Sequence, residues 1–455
     1  MIIRRHRSRR FGHFFVHEAN RGDNLKIAII ADDLTGASDT GVQFARVGMK
    51  TLVVLQTDRD QTPDADAIIV DTDSRSLPKE EAYGKVKEAA EYVRSCGADI
   101  VYKKIDSTMR GNIGAELDAV YDVFLPDFVV FAPAYPKYGR IVKDGHLILD
   151  GKPLHETEFS NDPKTPIADS SIPRLIGLQS TRKVGLVTRD DLASETSALA
   201  AKLERFHREG VPYLVFDSSN EEDLRRIVEL FGSLPYRVAW SGCAGLANYL
   251  TAGGGARKAY VPKTEQPVLT VVGSVNFRTR KQMEMMLSLT GVRGVKLLSH
   301  RVVAGEAEWE AELDRVCREA GEGLEQYQPV VLYSSGSPEE VELAQKVGSD
   351  NELTPIAVSN RISLALGLAT ARLLRDYPVN RLILTGGDTA KQVCNCLNIR
   401  TFELIDEVET GVPVGILHGE RPIYVVTKAG GFGSDFVLAQ ALKILQGEES
   451  SCARS

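Results

Sequence analysis

Short apolar runs alternate with amphipathic helical patterns along the first half of this 455-residue chain. Runs typical of buried strands lie at residues 26–31, 51–55, 67–70, 99–102, 128–131, 183–187, 213–216 and 237–240. Helical periodicity separates them, for example at 36–47, 79–95 and 113–124. This alternation predicts an α/β fold in which helices cover both faces of a mostly parallel sheet. The rhythm changes at 139–157, where the turn dipeptides Asp144-Gly145 and Asp150-Gly151 predict a small antiparallel insertion.

The second half repeats the alternation after a stretch rich in glycine and proline. We predict strands at 268–272, 330–333, 381–384 and 423–426. Helices are predicted at 278–289, 306–320, 338–347, 362–376, 389–397 and 435–445. The pattern therefore predicts two α/β domains with mostly parallel sheets and a ligand cleft between them. The predicted division is an extension at 1–24, a first domain at 25–250, a linker at 251–266, a second domain at 267–446 and a tail at 447–455.

Composition narrows the class of protein. A net charge of -7 argues against a general nucleic-acid binder but permits a local cationic pocket. No apolar run approaches the roughly 20 residues that span a bilayer, so we expect no membrane association. The six cysteines lack a zinc-ligand spacing, and we predict reduced thiols, a cytoplasmic location and no metal bound by the protein alone. Five arginines among the first ten residues lack the apolar core of a secretory signal, and we interpret 1–24 as a disordered extension or an upstream start.

Polar segments follow three predicted strands of the first half. Asp32 and Asp33 follow the first strand, Asp73-Ser74-Arg75 follows the strand at 67–70, and the segment 103–111 follows the strand at 99–102. Because the carboxyl ends of parallel strands share one edge of a sheet, we expect these segments to converge. Arginine and lysine suit carboxylate or phosphate, whereas aspartate, serine and threonine suit hydroxyls. The convergence predicts a site for a small, anionic, polyhydroxylated ligand.

Structural explanations stay open for each of these segments. Asp33 or Thr35 would cap the following helix. Arg75 and Arg110 would serve as surface ion pairs. The segment 103–111 would then be only a charged loop before the next helix.

Glycine turns follow predicted strands of the second half. They are Gly273-Ser274, Gly386-Gly387-Asp388-Thr389 and Lys428-Ala429-Gly430-Gly431. Glycine lets backbone amides approach phosphate, and a helix N-terminus favours negative charge, so the turns together predict a nucleotide site. Any one of them alone is explained as chain punctuation. The chain lacks both the G-x-x-x-x-G-K-[ST] loop and a G-x-G-x-x-G motif with a trailing acid, which counts against a P-loop protein and a dinucleotide dehydrogenase.

These motifs resemble those of the four-carbon acid sugar kinases. The likeness runs from residue 25 to about 446 and is carried by ADDLTGA at 31–37, DSR at 73–75, KIDSTMRG at 104–111, PAYP at 133–136, GR at 139–140, GGDT at 386–389 and KAGGFG at 428–433. Two departures are Asp388, where many relatives have glutamate, and the extension 1–24.

The resemblance implies a phosphotransferase with an alcohol acceptor, built from an amino-terminal substrate domain and a carboxy-terminal ATP domain. It implies ATP and Mg²⁺ as cofactors and the C4 hydroxyl of a four-carbon sugar acid as acceptor. The segment 38–43 is most similar to the branch that acts on D-threonate. D-erythronate, L-threonate and 3-oxo-tetronates are the alternatives. A homodimer is the assembly we expect.

Residue roles follow from this hypothesis. Asp32 or Asp33 accepts the hydroxyl proton. Arg75 and Arg110 bind the substrate carboxylate, Asp106 and Ser107 order its hydroxyls, and Lys104 or Lys428 neutralises phosphate charge. The ATP-contacting positions implied by the resemblance are Ser274, Gly386, Gly387, Asp388, Thr389 and Gly430, and Lys428 joins them from its place in the third glycine turn. The competing functions are a non-catalytic sugar-acid sensor and a dehydrogenase or lyase for the same acids.

Overall fold

A computed structural model of the chain describes residues 25–57, 62–161, 166–250 and 261–448. The chain divides into two compact units, the first comprising Met1–Thr51 and Thr57–Gly255 and the second Leu52–Gln56 and Ala256–Ser455. The predicted extension at 1–24, most of the predicted linker and the end of the predicted tail lie outside the described residues. The predicted domain boundaries therefore stay predictions.

The first unit is built from short buried strands and the helices between them. Its part of the chain contains β1 Ile27–Ala31, β2 Thr51–Val54, β3 Ala67–Asp71, β4 Ile100–Lys104, β5 Phe128–Phe131, β6 Arg140–Lys143, β7 His146–Leu149, β8 Lys152–Pro153, β9 Val184–Val187, β10 Tyr213–Phe216 and β11 Val238–Gly242, although most of β2 is grouped with the second unit. The helices are α1 Leu34–Arg46, α2 Lys79–Ser95, α3 Ile113–Phe124, α4 Ile172–Gly177, α5 Arg189–Ala193, α6 Thr196–Arg208, α7 Glu221–Gly232 and α8 Ala244–Ala247.

The sheet of this unit is parallel. Its strands lie in the order β3, β1, β4, β11, β5, β10, β9. All five residues of β1 are buried, as expected for a strand covered on both faces. The insertion predicted at 139–157 is antiparallel, with β6, β7 and β8 paired in order. Asp144, Gly145, Asp150 and Gly151 all have positive φ, between 49° and 81°, as two-residue hairpin turns require.

One boundary in this sheet was predicted wrongly. β4 ends at Lys104 rather than at residue 102, so two lysines belong to a buried strand. Lys103 pairs with Ile30 of β1 and Ser241 of β11, and Lys104 pairs with Ala31 and Gly242. Two lysines in a central strand depart from the apolar pattern of such strands. The charge of Lys103 is balanced by a buried ion pair with Glu116.

The second unit is also α/β. Its strands are β12 Leu269–Val272, β13 Arg293–Leu297, β14 Val330–Ser334, β15 Arg381–Thr385, β16 Thr401–Glu409, β17 Val412–His418 and β18 Ile423–Lys428. Its helices are α9 Phe277–Leu287, α10 Glu306–Glu325, α11 Pro338–Asp350, α12 Pro355–Asp376, α13 Gly387–Cys396 and α14 Val437–Gln446. The strands lie in the order β13, β14, β12, β15, β18, β17, β16, parallel as far as β18 and antiparallel beyond it.

The predicted α/β class with mostly parallel sheets is confirmed in both units. Sequence analysis missed β13, β16 and β17, and it began α12 at residue 362 instead of Pro355. Within the described ranges, no helix combines the length and apolar character needed to cross a membrane.

Candidate functional site

The carboxyl ends of β3, β1 and β4 are adjacent at one edge of the first sheet. Ala31, the last residue of β1, pairs with Asp71 on one side and with Lys104 on the other. The three polar segments found in the sequence leave the sheet at this edge. The backbone amides of Ser74 and Arg75 both donate to the Asp32 carbonyl, at 3.0 and 3.3 Å, which joins the first two segments.

Asp33 is the N-cap of α1, which supports one of the structural explanations above. Its Oδ1 accepts from the Gly36 amide at 2.8 Å. Burial raises the pKa of the Asp33 carboxyl; the neighbouring Arg75 opposes this rise and Asp32 adds to it. The 26 % exposure of the Asp33 side chain contrasts with 3 % for Asp32, so Asp33 is the more accessible carboxylate.

The absence of a side chain at Gly36 leaves room for the Lys104 ammonium beside the first turn of α1. A Cβ at position 36 would lie 2.7 Å from Asp33 Oδ1 and 2.8 Å from Lys104 Nζ. Real Cβ atoms essentially never make contacts that short, so any other residue at position 36 would require Asp33 and Lys104 to shift. Lys104 Nζ donates to the Ile105 carbonyl at 2.9 Å.

Arg75 is held by three carboxylates. Its Nε lies 2.7 Å from Asp32 Oδ2, and its Nη2 lies 2.7 Å from Asp33 Oδ1. Its Nη1 lies 3.7 Å from Asp106 Oδ1. Burial works to lower the pKa of Arg75, but the three carboxylates outweigh it and raise that pKa. Arg75 therefore neutralises and orders the aspartates of the site.

The Asp106 carboxylate is similarly paired with neighbouring side chains. Arg110 Nε lies 2.7 Å from Asp106 Oδ2, and Arg110 Nη2 donates to Oδ1 at 3.2 Å. Thr108 Oγ1 also donates to Oδ2, at 2.5 Å. Although burial favours the neutral acid, Arg75 and Arg110 lower the pKa of Asp106 well below its usual range. Ser107 is half-buried in the same turn.

A buried ion pair supports this edge from within. Lys103 Nζ lies 2.7 Å from Glu116 Oε2, and these side chains are 0 % and 2 % exposed. Ser74 Oγ donates to Glu116 Oε1 at 2.7 Å and lies 2.8 Å from Thr72 Oγ1. The pair thus fixes the backbone that carries Arg75, and Lys103 is part of the framework beneath the site.

Two residues in this region received no role from the sequence. Asp39 lies on α1, and burial raises the pKa of its carboxyl while Lys104 opposes that rise. Arg140 begins β6. Among the described residues, Asp39 Oδ1, Asp32 Oδ1 and Arg140 Nε are buried without a hydrogen-bond partner. The signals that could have found them are the GR pair at 139–140 and the helical spacing of Gly36 and Asp39.

The glycine turns of the second unit meet in the same way. β15 lies between β12 and β18, with Thr385 opposite Val272 and Lys428. The connections from β12 and β15 lead to opposite sides of the sheet order, which is where doubly wound folds bind ligands.

Close contacts fix the first two turns. A Cβ at Gly273 would lie 1.9 Å from Thr389 Oγ1, so the buried Thr389 side chain fills that space. Gly386 adopts φ 94°, and a Cβ there would lie 3.4 Å from the Ser274 nitrogen. Gly387 and the exposed Asp388 then begin α13, whose N-terminal amides favour an anion.

Lys428 places a buried cation beside these turns. Its Nζ donates to Thr279 Oγ1 at 3.0 Å and to the carbonyls of Ala429 and Gly430 at 3.0 and 2.9 Å. Gly430 closes against this region, since a Cβ there would lie 3.2 Å from Ser274 Oγ. Burial lowers the pKa of Lys428 to about 8, helped by Arg278. Across the described ranges no carboxylate forms an ion pair with it, so a phosphate group would supply the missing negative charge.

Comparisons with known proteins agree with a polar ligand site in the first unit and a nucleotide site in the second. A sugar-binding N-terminal domain matches residues 27–250, and a nucleotide-binding C-terminal domain matches residues 269–438. A D-threonate kinase of Salmonella typhimurium is 34% identical over 432 residues, covering 94% of this chain and 100% of that protein. A D-erythronate kinase of Heliobacterium modesticaldum is 32% identical, covering 90% and 94%. A crystal structure of a Haemophilus influenzae protein aligns with a TM-score of 0.74 at 25% identity, covering 92% of this chain and 100% of that one.

Fold and sites together define a two-domain protein of the class that pairs a sugar-binding domain with a nucleotide-binding domain. The chain belongs to the four-carbon acid sugar kinase family, as its motifs predicted.

Proposed function

We propose that this protein transfers the γ-phosphoryl group of ATP to the C4 hydroxyl of a four-carbon sugar acid, with D-threonate as the first candidate. The observation that carries the proposal is the buried Lys428 charge, which lacks a carboxylate partner among the described residues and lies beside the glycine turns. The D-threonate kinase relative supports the choice of substrate.

Asp33 is our candidate for the general base. Its raised pKa and its partial exposure suit a carboxylate that accepts a proton from a substrate hydroxyl. Arg75 contacts Asp32 Oδ2 and Asp33 Oδ1 at the same 2.7 Å, so exposure distinguishes the two carboxylates, and Asp32 is nearly buried. We therefore assign Asp32 to the anchoring of Arg75, which keeps the charges of the site in place.

The remaining first-unit residues bind and orient the acid. Ser107 and Asp106 are proposed to contact its hydroxyls. Lys104, the last residue of β4, is proposed to bind the substrate, and Lys428 to neutralise the phosphate charge that develops. Arg75 and Arg110 were predicted to bind the substrate carboxylate, and that role stays a prediction. Both guanidinium groups are already paired with aspartates of the protein, which weakens the case for it.

ATP is proposed to bind at the second-unit turns, with its phosphates on the amides of Ser274, Gly387, Thr389 and Gly430 and near Lys428. The Gly386 amide donates to the Lys428 carbonyl at 2.9 Å, so Gly386 is proposed to shape the turn rather than to donate to phosphate. Mg²⁺ neutralises phosphate charge when it is bound with ATP. The described residues contain no cluster of three or more metal-ligating side chains. Mg²⁺ uses one or two carboxylates together with phosphate oxygens, and Asp388 is the carboxylate at the predicted place.

Location and assembly are the last parts of the proposal. We propose a cytoplasmic protein, which the free state of Cys96, Cys243, Cys317, Cys394 and Cys396 supports. A homodimer stays a prediction.

The test is ADP release with ATP and a panel of D-threonate, D-erythronate, L-threonate and a 3-oxo-tetronate. We expect D-threonate to have the highest kcat/KM. Preference for another acid would support the kinase activity but overturn the choice of D-threonate as substrate. Binding of these acids without any ADP release would favour the sensor instead. Asp33→Asn should reduce kcat by at least about 100-fold, as the loss of a general base does, and unchanged turnover would remove the base assignment.

A further inference from the structure

The first-unit site contains two arginines that are already neutralised. Arg75 contacts Asp32 and Asp33 at 2.7 Å each. Arg110 contacts both oxygens of Asp106, at 2.7 and 3.2 Å. A substrate carboxylate bound to either one would compete with carboxylates that are part of the protein.

Two other cations of the site are not neutralised in this way. Lys104 Nζ donates to the Ile105 carbonyl at 2.9 Å, and Arg140 Nη1 donates to the Tyr138 carbonyl at 3.1 Å. Across the parts of the chain that the structure describes, neither forms an ion pair within 4.0 Å. Arg140 Nε is also buried without a partner. A buried N–H of a charged group is costly to leave unpaired, so this atom is suited to an anionic acceptor.

The backbone of Arg140 is firmly placed. Arg140 and Tyr135 exchange backbone hydrogen bonds at 2.8 and 3.2 Å. Between them Gly139 adopts φ 68°, and a Cβ there would lie 1.9 Å from Asp150 Oδ1. The Tyr135 ring packs with Cys243 and Ala244 in one buried cluster.

That cluster connects Arg140 to the strand that carries Lys104. Cys243 directly follows β11, whose last residue, Gly242, pairs with Lys104. Cys243 Sγ lies 3.2 Å from the Pro133 carbonyl, in the segment that leads from β5 to Arg140. Burial raises the pKa of the Asp39 carboxyl, and the positive charges of both Lys104 and Arg140 oppose that rise. The charges of Lys104 and Arg140 therefore both act on Asp39, and the Cys243 contacts connect the segments that carry the two cations.

We propose that Arg140, together with Lys104, binds the carboxylate of the substrate, and that Asp39 Oδ1 bonds the hydroxyl next to that carboxylate. A guanidinium together with an ammonium matches a carboxylate better than a neutral hydroxyl. This assignment gives Arg140 control over the choice between an acid and a neutral analogue. The assignment rests on the proposed function, since it names the residues that recognise the negative charge of the proposed substrate.

The experiment compares D-threonate with its uncharged primary amide. Binding of each is measured by calorimetry, and turnover by ADP release. We expect Arg140→Ala to weaken D-threonate binding about 10- to 100-fold, the size of a charged hydrogen bond, while binding of the amide changes less than about threefold. Arg140→Lys should recover part of the loss. Lys143→Ala removes an exposed cation from the same strand and should leave both ligands unaffected.

An unchanged KM for ATP in Arg140→Ala would show that the variant is folded. Equal losses for the acid and the amide, or no loss for the acid, would overturn the assignment. So would loss of the acid preference in Arg75→Ala but not in Arg140→Ala. Wild-type protein that binds D-threonate without ADP release would refute the proposed kinase, yet the binding data would still decide the role of Arg140. Wild-type protein that binds none of the acids would overturn both.

Discussion

Replacing Gly36 by alanine tests where the substrate site lies. The added Cβ would lie 2.7 Å from Asp33 Oδ1 and 2.8 Å from Lys104 Nζ, so both groups must move by roughly half an ångström or more to reach ordinary contact. Because a displacement of about 1 Å in an active site costs about 100-fold in rate, we expect kcat/KM for D-threonate to fall at least about tenfold. The KM for ATP should not change.

Gly84→Ala is the matched control. Gly84 also lies in a helix, α2, but a Cβ there would meet no atom within 4 Å. Alanine in place of a helical glycine stabilises a protein by roughly 0.5–1 kcal/mol, and we expect this gain in urea denaturation together with wild-type kinetics. Kinetics of Gly36→Ala within twofold of wild type would refute the placement of Asp33 and Lys104 in the substrate site. An equal loss of kcat/KM in both variants would show that alanine acts by disturbing the helices rather than the substrate site.

Other predictions concern the framework and the nucleotide site. Lys103→Met leaves Glu116 buried without its cation and should lower the free energy of unfolding by about 3–5 kcal/mol in urea denaturation. The double variant with Glu116→Leu should recover part of this loss, and a loss below about 1 kcal/mol in Lys103→Met would contradict the pairing. Lys428 is protonated below its pKa of about 8, so the KM for ATP should rise as pH increases through that value, and Lys428→Arg should flatten the profile; a flat wild-type profile would argue against a phosphate contact. Gly273→Ala would place a Cβ 1.9 Å from Thr389 Oγ1 and should raise the KM for ATP at least about fivefold. Gly232→Ala, in α7 of the first unit and with no atom within 4 Å, should leave that KM unchanged. Equal KM values in the two variants would show that the Gly273 turn does not take part in ATP binding.

Much of the fold could be predicted from the sequence because parallel strands buried on both faces are short apolar runs. β1 and β5 show this pattern plainly. β16 was missed because its sequence, TFELIDEVE, mixes acidic residues with apolar ones and pairs antiparallel at the side of the sheet. β13 was missed because RGVKL contains only two buried residues.

The location of the polar segments could be predicted as well, since strand ends of one parallel sheet share an edge. The partners of individual charges could not. Lys103 is compensated by Glu116 from α3, and Arg75 is shared among carboxylates of two other segments. Such pairings depend on how helices pack on the sheet, which no local pattern records. For the same reason, the sequence assigned no role to Arg140 and Asp39, which the structure identifies by their buried polar atoms without partners.

The most direct test of the central claim is to follow the reaction of ATP and D-threonate by ³¹P NMR. We predict stoichiometric loss of the ATP γ-phosphate signal and the appearance of one phosphomonoester whose phosphorus couples to the two protons on C4. A product phosphorylated at another carbon, or no phosphomonoester with any four-carbon acid, would contradict the account.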